Sequence, residues 1–184
     1  MERLMMLLPD GTPSGISVDR EKAHAEGILH GTSQIFLYRF IEGKLFILLQ
    51  KRSKDKDSYP NCWDMSCAGH VPFGMDYLEN ALKELEEELG ITVSADELKP
   101  VFLHQTEKKA MFYGKLFHDR QISQVYVLKC EKQAHEFTVQ KEEISEVKWF
   151  SFEDCMSAIE RKDENFCLNK EKFQKVYEFL NNNL

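Results

Sequence analysis

Three glutamates near the middle of the chain have the residue type and the spacing to bind a metal ion. Glu84, Glu87 and Glu88 lie in the segment GHVPFGMDYLENALKELEEELGI, which runs from Gly69 to Ile91. Residues three and four apart share one face of a helix, so the three carboxylates can converge on one point. Without a partner they would repel each other by roughly 0.2–0.5 kcal/mol per pair. A cation would remove this repulsion, and Mg²⁺ is commonly shared between carboxylates and substrate phosphates.

The same segment also has the pattern of an ordinary amphipathic helix. Four leucines follow the i, i+4, i+7, i+11 spacing of a buried stripe: Leu78, Leu82, Leu85 and Leu89. On this interpretation the glutamates form only the solvated face of the helix. Gly69, the three glutamates and Gly90 together match one known pattern at fixed offsets. This match favours the metal site.

The segment resembles the signature of the Nudix hydrolases. That signature runs Gly, five residues, Glu, seven residues, Arg-Glu, an aliphatic residue, any residue, Glu-Glu, any residue, Gly and an aliphatic residue. The chain matches it at Gly69, Glu84, Leu85, Glu87, Glu88, Gly90 and Ile91. It departs at two positions, with Met75 in place of the first Glu and Lys83 in place of the Arg. In the family these two positions usually pair, so their joint change indicates the loss of one structural salt bridge, while the metal-binding glutamates remain.

The resemblance implies hydrolysis of a diphosphate bond with Mg²⁺ or Mn²⁺ as the cofactor. Metal ions neutralise the phosphate charge, orient the phosphates and lower the pKa of a bound water. By analogy with the family, the ligands would be Glu84, Glu87, Glu88 and the backbone carbonyl of Ala68. Glu87 and Glu88 could instead serve as ligand and general base. The base could also come from another loop, where the candidates are Glu107, Glu142 and Glu143.

Beyond the signature, the chain from about Asp10 to Phe152 resembles the Nudix branch that includes the type I isopentenyl-diphosphate isomerases. The segments that carry this resemblance are DGTPSGISVDREKAHAEGILH, LLQKRS, PNCWDMSCAGH and VKWFSFED. Arg52 and Lys56 stand where that branch holds the diphosphate, and an arginine fork suits phosphate oxygens. We therefore assign both residues to substrate binding. For either residue alone, a solvated strand end is the alternative.

The catalytic positions of the isomerases do not match this chain. Those enzymes move protons with a cysteine directly before the Gly-His pair and a glutamate on a later strand, and here the positions hold Ala68 and Gln124. Cys67 lies one residue earlier, and a one-residue offset in extended chain points to the opposite face. Proton transfer needs an ionisable group within hydrogen-bond reach, so isomerase activity is disfavoured.

Histidines near the N-terminus bind metal in the isomerases, and His24 and His30 resemble that pair with a spacing one residue shorter. The isomerases also use the histidine that corresponds to His70. We assign His70 to the substrate site, with a metal ligand and a hydrogen-bonded structural role as open alternatives.

Two other functions stay open for the chain: an isopentenyl-diphosphate isomerase-like enzyme, and a non-catalytic module that binds a nucleotide or diphosphate. Met75 and Lys83 favour the binding module.

Several predicted elements must position these residues. After a turn at 10–13, a strand is predicted from about Leu29 to Tyr38 and a buried strand from Leu45 to Leu49. The charged stretch from Ser53 to Asn61 predicts an exposed loop. Beyond the signature helix, the pattern predicts strands at 101–104, 123–128 and 147–150 and a helix at 151–160 that starts with a capping box. A last helix has one apolar stripe, formed by Phe173, Val176, Tyr177 and Leu180.

This order of strands and helices predicts an α/β fold. The resemblance implies a Nudix-like α/β/α sandwich with a mixed β-sheet between helices. We expect one domain over residues 1–184, with an N-terminal extension over 1–27 and C-terminal helices over 152–184.

Composition restricts the partners. The net charge is −7 and no long basic run occurs, which disfavours nucleic acid. The chain has no apolar run near the ~20 residues that span a bilayer and no signal-peptide pattern, so we expect no membrane association. Five scattered cysteines fit a reduced, cytoplasmic protein. The expected partner is a small-molecule diphosphate, and the sequence leaves the oligomeric state open, with a homodimer among the alternatives.

Overall fold

A mixed β-sheet between helices forms the framework of the protein. The computed structural model describes residues 2–56 and 58–183. The strands in this part of the chain are Arg3–Leu7 (β1), Pro13–Asp19 (β2), His30–Ile41 (β3), Lys44–Arg52 (β4), Trp63–Asp64 (β5), Cys67–His70 (β6), Lys99–Phe112 (β7), Lys115–Lys129 (β8) and Ile144–Ser151 (β9). The α-helices are Arg20–Glu26 (α1), Tyr77–Leu89 (α2), Phe152–Glu160 (α3) and Lys170–Asn182 (α4).

β3 is the central strand of the sheet. It pairs antiparallel with β4 and β6 and parallel with β8, so both kinds of neighbour occur in one sheet. Every residue from His30 to Arg39 is buried, although only the stretch from Ile35 to Tyr38 is apolar. The two strands predicted at 29–38 and 45–49 are confirmed, and the described part of the loop at 53–61 has no helix or strand.

Helices cover both faces of the sheet. Successive side chains of a strand point to opposite faces. On one face, Ile35 and Leu37 belong to the same buried cluster as Leu85 of α2. On the other face, Phe36 contacts Phe173 of α4 with the ring centroids 5.2 Å apart. The predicted α/β fold with a mixed sheet between helices is therefore confirmed.

The signature helix α2 has well-defined ends. At its start, Asp76 and Glu79 form a capping box in which each side chain accepts the backbone N–H of the other residue. At its end, Gly90 has a φ of 65°, a left-handed conformation that favours glycine. The four leucines of the predicted stripe are buried or partly buried against the sheet. Glu84 and Glu88, which lie beside this stripe, are thereby held close to the sheet.

β7 and β8 form a hairpin that is much longer than the strands predicted at 101–104 and 123–128. Its outer half, which includes EKKAMFYGKLFHDR, lacks the apolar alternation from which a strand is predicted. The strands pair as far as Phe112 and Lys115. Between them, Tyr113 and Gly114 have φ values of 50° and 75°, as a two-residue hairpin turn requires. Backbone pairing therefore extends the hairpin where side-chain patterning gives no signal.

The N-terminal residues contain elements that the sequence did not indicate. The predicted turn at 10–13 is present, with the Thr12 N–H donating to Asp10 Oδ1 at 2.9 Å. It joins β1 and β2, which pair antiparallel, and β1 also contacts β3 through Met6 and His30. The short helix α1 follows and ends at Gly27, whose φ is 66°. α1 carries His24.

The two C-terminal helices lie where they are predicted, but one residue of the predicted apolar stripe is not buried. Ser151 accepts the Asp154 N–H at 3.0 Å and so begins α3. In α4 three residues of the predicted stripe are buried, but Tyr177 is 39% exposed. It lies at the edge of the stripe and stacks on Phe152 with the ring centroids 4.4 Å apart. Within residues 2–56 and 58–183, no helix is both long and apolar enough to cross a membrane.

Candidate functional site

The Glu84 side chain packs directly on the backbone of Gly69 in the sheet. A Cβ atom at position 69 would lie 2.1 Å from the Glu84 Cδ, so a residue with any side chain would displace this carboxylate. Asn80 Nδ2 donates a hydrogen bond to the Gly69 carbonyl at 3.2 Å, which fixes α2 against the same strand. Gly69 and Glu84, fifteen residues apart in the signature, therefore act as one structural unit.

Glu88 is the most deeply buried of the three glutamates, with 5% of its surface exposed. Burial and, second, the charge of Glu84 raise the pKa of Glu88 to about 7. The Ala68 backbone N–H donates to Glu88 Oε2 at 3.4 Å. Burial also raises the pKa of Glu84. Buried charges in proteins are normally paired or coordinate a metal, so this pair of carboxylates is a favourable place for a cation.

Lys83, one of the two departures from the signature, lies among the glutamates. Its Nζ is 2.5 Å from Glu87 Oε2 and 3.3 Å from Glu84 Oε1. Because position 75 is a methionine, an ion pair between positions 75 and 83 is impossible in this chain. Lys83 instead supplies a positive charge to the acidic cluster. Partial burial lowers its pKa, but the hydrogen bond to Glu87 and the charges of Glu84 and Glu87 outweigh this effect and raise it.

A cavity of about 310 Å³ opens beside the glutamates, and its wall also contains the predicted cations. Arg52 Nε and Nη2 donate to the Ser58 carbonyl at 3.1 and 2.9 Å, and Nη1 lies 3.6 Å from Asp64 Oδ2. These contacts hold the guanidinium in one orientation. Lys56 forms an ion pair with Glu143. Carboxylates and cations thus line one cavity, as a metal-bound diphosphate would require.

Of the three candidate bases, Glu143 belongs to the cavity wall. Glu88 lines the same cavity. Glu107 is exposed on β7 and accepts a hydrogen bond from His118 Nε2 at 2.7 Å, outside the cavity wall. Glu142 is exposed and also lies outside this wall. The geometry therefore favours Glu143.

A second group of polar residues adjoins the cavity. His24 of α1, His30 of β3 and His70 of β6 offer ring nitrogens that all lie within 4.8 Å of one another. Asp119 of β8 joins them, with its Oδ1 3.5 Å from His30 Nε2 and 3.9 Å from His24 Nε2. Imidazole and carboxylate groups are suitable ligands for Mn²⁺, Zn²⁺ and similar ions. The His24–His30 pair, anticipated from resemblance, is thus completed by His70 and Asp119.

The protonation of these histidines fits metal binding. Burial lowers the pKa of His30, and burial followed by the neighbouring His30 lowers the pKa of His70 well below its usual range. The Ile28 carbonyl accepts a hydrogen bond from His30 Nδ1 at 2.8 Å, so the lone pair of the neutral ring is on Nε2. His70 lies in the cavity wall as well as in this group. Its assignment to substrate binding stays a prediction, beside the metal-ligand alternative.

The pleat of the sheet decides which side chains reach the cavity. His30 is in register with Gln121 on β8, and Gln121 lines the cavity. Gln124 is in register with Ser33, whose hydroxyl donates to the Tyr77 carbonyl of α2, on the other face. The sequence placed Gln124 at the position of the isomerase glutamate, but the structure gives the cavity position to Gln121. A shift of an odd number of residues along a strand moves a side chain to the opposite face.

Ala68 and Cys67 point to opposite faces, as their one-residue offset predicts. Ala68 lines the cavity, whereas Cys67 is fully buried in the cluster beneath α2. Burial raises the pKa of the Cys67 thiol well above its usual range, so it is protonated and unreactive. The cavity therefore has an alanine and a glutamine near the places where proton-transfer groups would be needed for isomerisation.

Asp119 and Lys172 are cavity residues that the sequence did not indicate. Asp119 lies two residues before Gln121, so the alternation of β8 would have revealed it once the pairing of β8 with β3 was known. Lys172 comes from α4 and gives no signal in the sequence, because it stands in an ordinary charged helical pattern. Both depend on contacts between segments that are far apart in the chain.

Comparisons with known proteins identify the family of this chain. The family model described as NUDIX domain matches residues 32–168. Nudix hydrolase 3 of Arabidopsis thaliana is 33% identical over 164 residues, which cover 88% of this chain but only 21% of that protein. An isopentenyl-diphosphate Delta-isomerase of Ruegeria pomeroyi is 26% identical over 151 residues, which cover 82% of this chain and 78% of that protein. The similar proteins thus include both a Nudix hydrolase and an isopentenyl-diphosphate isomerase, the two groups that the sequence resembles.

A solved structure shares the fold. The crystal structure of DR0079 from Deinococcus radiodurans superposes with a TM-score of 0.62 and 21% identity, covering 87% of this chain and 90% of that one. At this identity the likeness concerns the fold alone.

Proposed function

This chain belongs to the NUDIX domain family, and we propose that it is a metal-dependent hydrolase that cleaves a diphosphate bond in a small organic or nucleoside diphosphate derivative. Membership of this family supports diphosphate-bond hydrolysis in general. The observation that carries the finer proposal is the meeting of three glutamates, Arg52 and Lys56 in one cavity.

The donor set fits Mg²⁺ or Mn²⁺. Glu84 and Glu88 are neighbouring carboxylates whose pKa values are raised by burial, and a hard cation would stabilise their ionised forms. We propose that these two residues, Glu87 and the Ala68 carbonyl would hold the metal. When bound, the metal would neutralise phosphate charge and lower the pKa of a water molecule.

The cations of the chain would hold the substrate. The Arg52 guanidinium is already oriented by Ser58 and Asp64, so little side-chain freedom would be lost when it binds a phosphate oxygen. Lys56 would exchange its contact with Glu143 for a contact with phosphate. Release from Lys56 would leave the Glu143 carboxylate free to accept a proton from the attacking water. Glu87 or Glu88 in the role of base is the alternative.

A hydrolysis screen tests the proposal. Purified protein with Mg²⁺ should release phosphate or a monophosphate product from at least one compound in a panel of nucleoside and isoprenoid diphosphates. The Glu88→Gln variant should lose more than about 100-fold in kcat/KM, because even changes one shell outside a metal cost about 10–100-fold. Glu86→Gln is the matched control, since Glu86 is exposed on the same helix and lies outside the cavity wall. Full activity of Glu88→Gln would refute the assigned metal role.

An isopentenyl-diphosphate isomerase-like activity is the second candidate, and the group of His24, His30, His70 and Asp119 favours it. Against it stand Ala68 and Gln121, which cannot exchange protons with a substrate carbon. Incubation of the metal-loaded protein with isopentenyl diphosphate distinguishes the two functions. Isomerisation to dimethylallyl diphosphate would support the second candidate, and release of a monophosphate the first. Tight binding without turnover across the panel would instead identify a binding module.

A further inference from the structure

A lysine is buried in the wall of the cavity, on the side formed by α4. Only 4% of Lys172 is exposed, and its Nζ donates a hydrogen bond to Gln34 Oε1 at 2.8 Å. Gln34, on β3, is equally buried and lines the same cavity. Lysine is among the residues least often buried, because removing an ammonium group from water is costly. A buried lysine that lines a cavity therefore needs an explanation beyond packing.

The Lys172 ammonium group has more hydrogen-bond donors than the one that Gln34 accepts. It carries three N–H groups, and among residues 2–56 and 58–183 the hydrogen-bond acceptor that it contacts is Gln34. Burial lowers its pKa to about 8, while the nearby Asp64 and Asp119 act in the opposite direction. Near pH 7 the group thus remains charged. It can donate to an acceptor that enters the cavity.

Lys172 approaches the cavity from the side opposite to the metal-binding glutamates. The glutamates come from α2, which covers one face of the sheet. Lys172 comes from α4, which covers the other face, and it meets Gln34 there. The organic group of a diphosphate that is held by the glutamates, Arg52 and Lys56 can lie on the Lys172 side of this cavity.

The surroundings of Lys172 are polar. Thr32 Oγ1 donates to Ser123 Oγ at 2.8 Å on the same face of the sheet as Gln34, and Thr32, Gln121 and Asn169 also line the cavity. A hydrocarbon tail in this place would cover the Lys172 ammonium group without accepting its hydrogen bonds, which is unfavourable. A group that bears hydroxyl, carboxylate or phosphate oxygens would satisfy them.

We propose that Lys172, oriented by Gln34, is a specificity-determining residue that donates hydrogen bonds to an oxygen of the substrate's organic group. The enzyme would accordingly select diphosphates of polar, oxygen-rich groups over isoprenoid diphosphates. This inference rests on the proposed function, because it concerns the other end of the same substrate.

The test compares Lys172→Met with Lys170→Met. Methionine keeps the length and the packing of the side chain but removes the charge and the donors, and Lys170 is an exposed residue of the same helix. Initial rates with Mg²⁺ are measured on ADP-ribose, which offers hydroxyl groups, on phosphoribosyl diphosphate, which offers a further phosphate, and on isopentenyl and geranyl diphosphates. A loss specific to one of the polar compounds identifies the kind of oxygen that Lys172 binds.

We expect the unaltered protein to prefer a polar substrate. Lys172→Met should lower kcat/KM for that substrate by about 10–100-fold, as the loss of a charged hydrogen bond predicts, mainly through KM. The rate on isopentenyl diphosphate should be unchanged or raised, and Lys170→Met should behave like the unaltered protein. If Lys172→Met does not fold, Gln34→Leu tests the same preference from the other side of the hydrogen bond.

Three results would overturn the inference: a preference for isoprenoid diphosphates, an equal loss on polar and apolar substrates, or no loss at all. An equal loss would mean that Lys172 holds the diphosphate itself. Failure of the proposed function is separate, since it would appear as no metal-dependent turnover of any compound. In that case, calorimetric titration with the same compounds decides, because selective weakening of polar ligands by Lys172→Met would support the inference and unchanged binding would refute it.

Discussion

The absence of a side chain at position 69 determines where the Glu84 carboxylate can lie. Glu84 occupies the space of the missing Cβ, and Asn80 binds the carbonyl of the same glycine. The glycine is therefore needed for the close approach of a helix side chain to a strand, a requirement that the backbone alone would not impose. The effect of Gly69 on the position of the Glu84 carboxylate can be measured separately from its effect on stability.

Gly69→Ala should displace Glu84 and lower metal-dependent hydrolysis by at least about 10-fold, because small misplacements of catalytic groups are costly. The control is Gly43→Ala, where a Cβ meets no atom within 4 Å but the φ of 75° is strained for alanine. That variant should lose about 1 kcal/mol of stability and keep its activity. Initial rates and thermal unfolding of both variants check this, and an active Gly69→Ala would contradict it.

The buried Lys172 side chain should make the stability of the protein depend on pH. Burial lowers its pKa from 10.5 to about 8, so between these values the unfolded chain binds more protons than the folded one. The free energy of unfolding contributed by this group therefore rises from pH 8 to 10.5, and the penalty of at most about 3 kcal/mol is fully present below pH 8. Lys172→Met should be more stable than the unaltered protein at pH 7, and the difference should shrink toward pH 10.5. Chemical denaturation at several pH values measures it, and a difference independent of pH would contradict the prediction.

Among the elements, those with strong local signals were predictable from the sequence. α2 follows from its leucine stripe and Gly90, and β3 and β4 follow from the apolar residues at 35–38 and 45–49. The outer half of the β7–β8 hairpin and the elements before residue 27 were not predictable, because backbone pairing rather than side-chain periodicity stabilises them. The glutamates of the site were found because they lie on one helix. Asp119, Gln121 and Lys172 were missed because strand register and helix docking bring them to the cavity.

The outer half of the β7–β8 hairpin, which the sequence did not predict, contacts the loop that carries Lys56. Phe112, at the tip of β7, contacts Tyr59 with the ring centroids 4.9 Å apart, and the Tyr113 hydroxyl donates to the Lys56 carbonyl at 3.3 Å. The hairpin tip therefore supports one wall of the cavity. We expect these contacts to limit the positions that the loop can adopt before substrate binds.

Phe112→Ala should loosen this loop and weaken substrate binding. We expect KM to rise several-fold with kcat within about 2-fold of its original value, because the glutamates of α2 are not altered. Met111→Ala serves as the control, since Met111 is 63% exposed on the same hairpin. Steady-state kinetics distinguish the outcomes, and a fall in kcat without a change in KM would place the hairpin in a different role.

At the scale of the whole molecule, the fold joins two sets of metal-type ligands at one cavity. The glutamates come from a single helix, whereas His24, His30, His70 and Asp119 come from α1, β3, β6 and β8. The pairing of β3 with both β6 and β8 is what brings the second set together. The two sets differ in chemistry, because carboxylates suit Mg²⁺ and imidazoles suit softer ions such as Co²⁺ and Zn²⁺. The two groups of side chains can therefore be altered separately.

Separate variants should remove these sites one at a time. Mg²⁺ should raise the melting temperature of the protein, since a ligand that binds only the folded state stabilises it. Glu88→Gln should abolish this shift, and His30→Gln should retain it. Conversely, Co²⁺ should give a visible absorption band that His30→Gln loses and Glu88→Gln keeps, because the band reports nitrogen ligands at the histidine group. Loss of both signals in either variant would mean that one ion is shared between the two sets, and that the cavity holds a single centre.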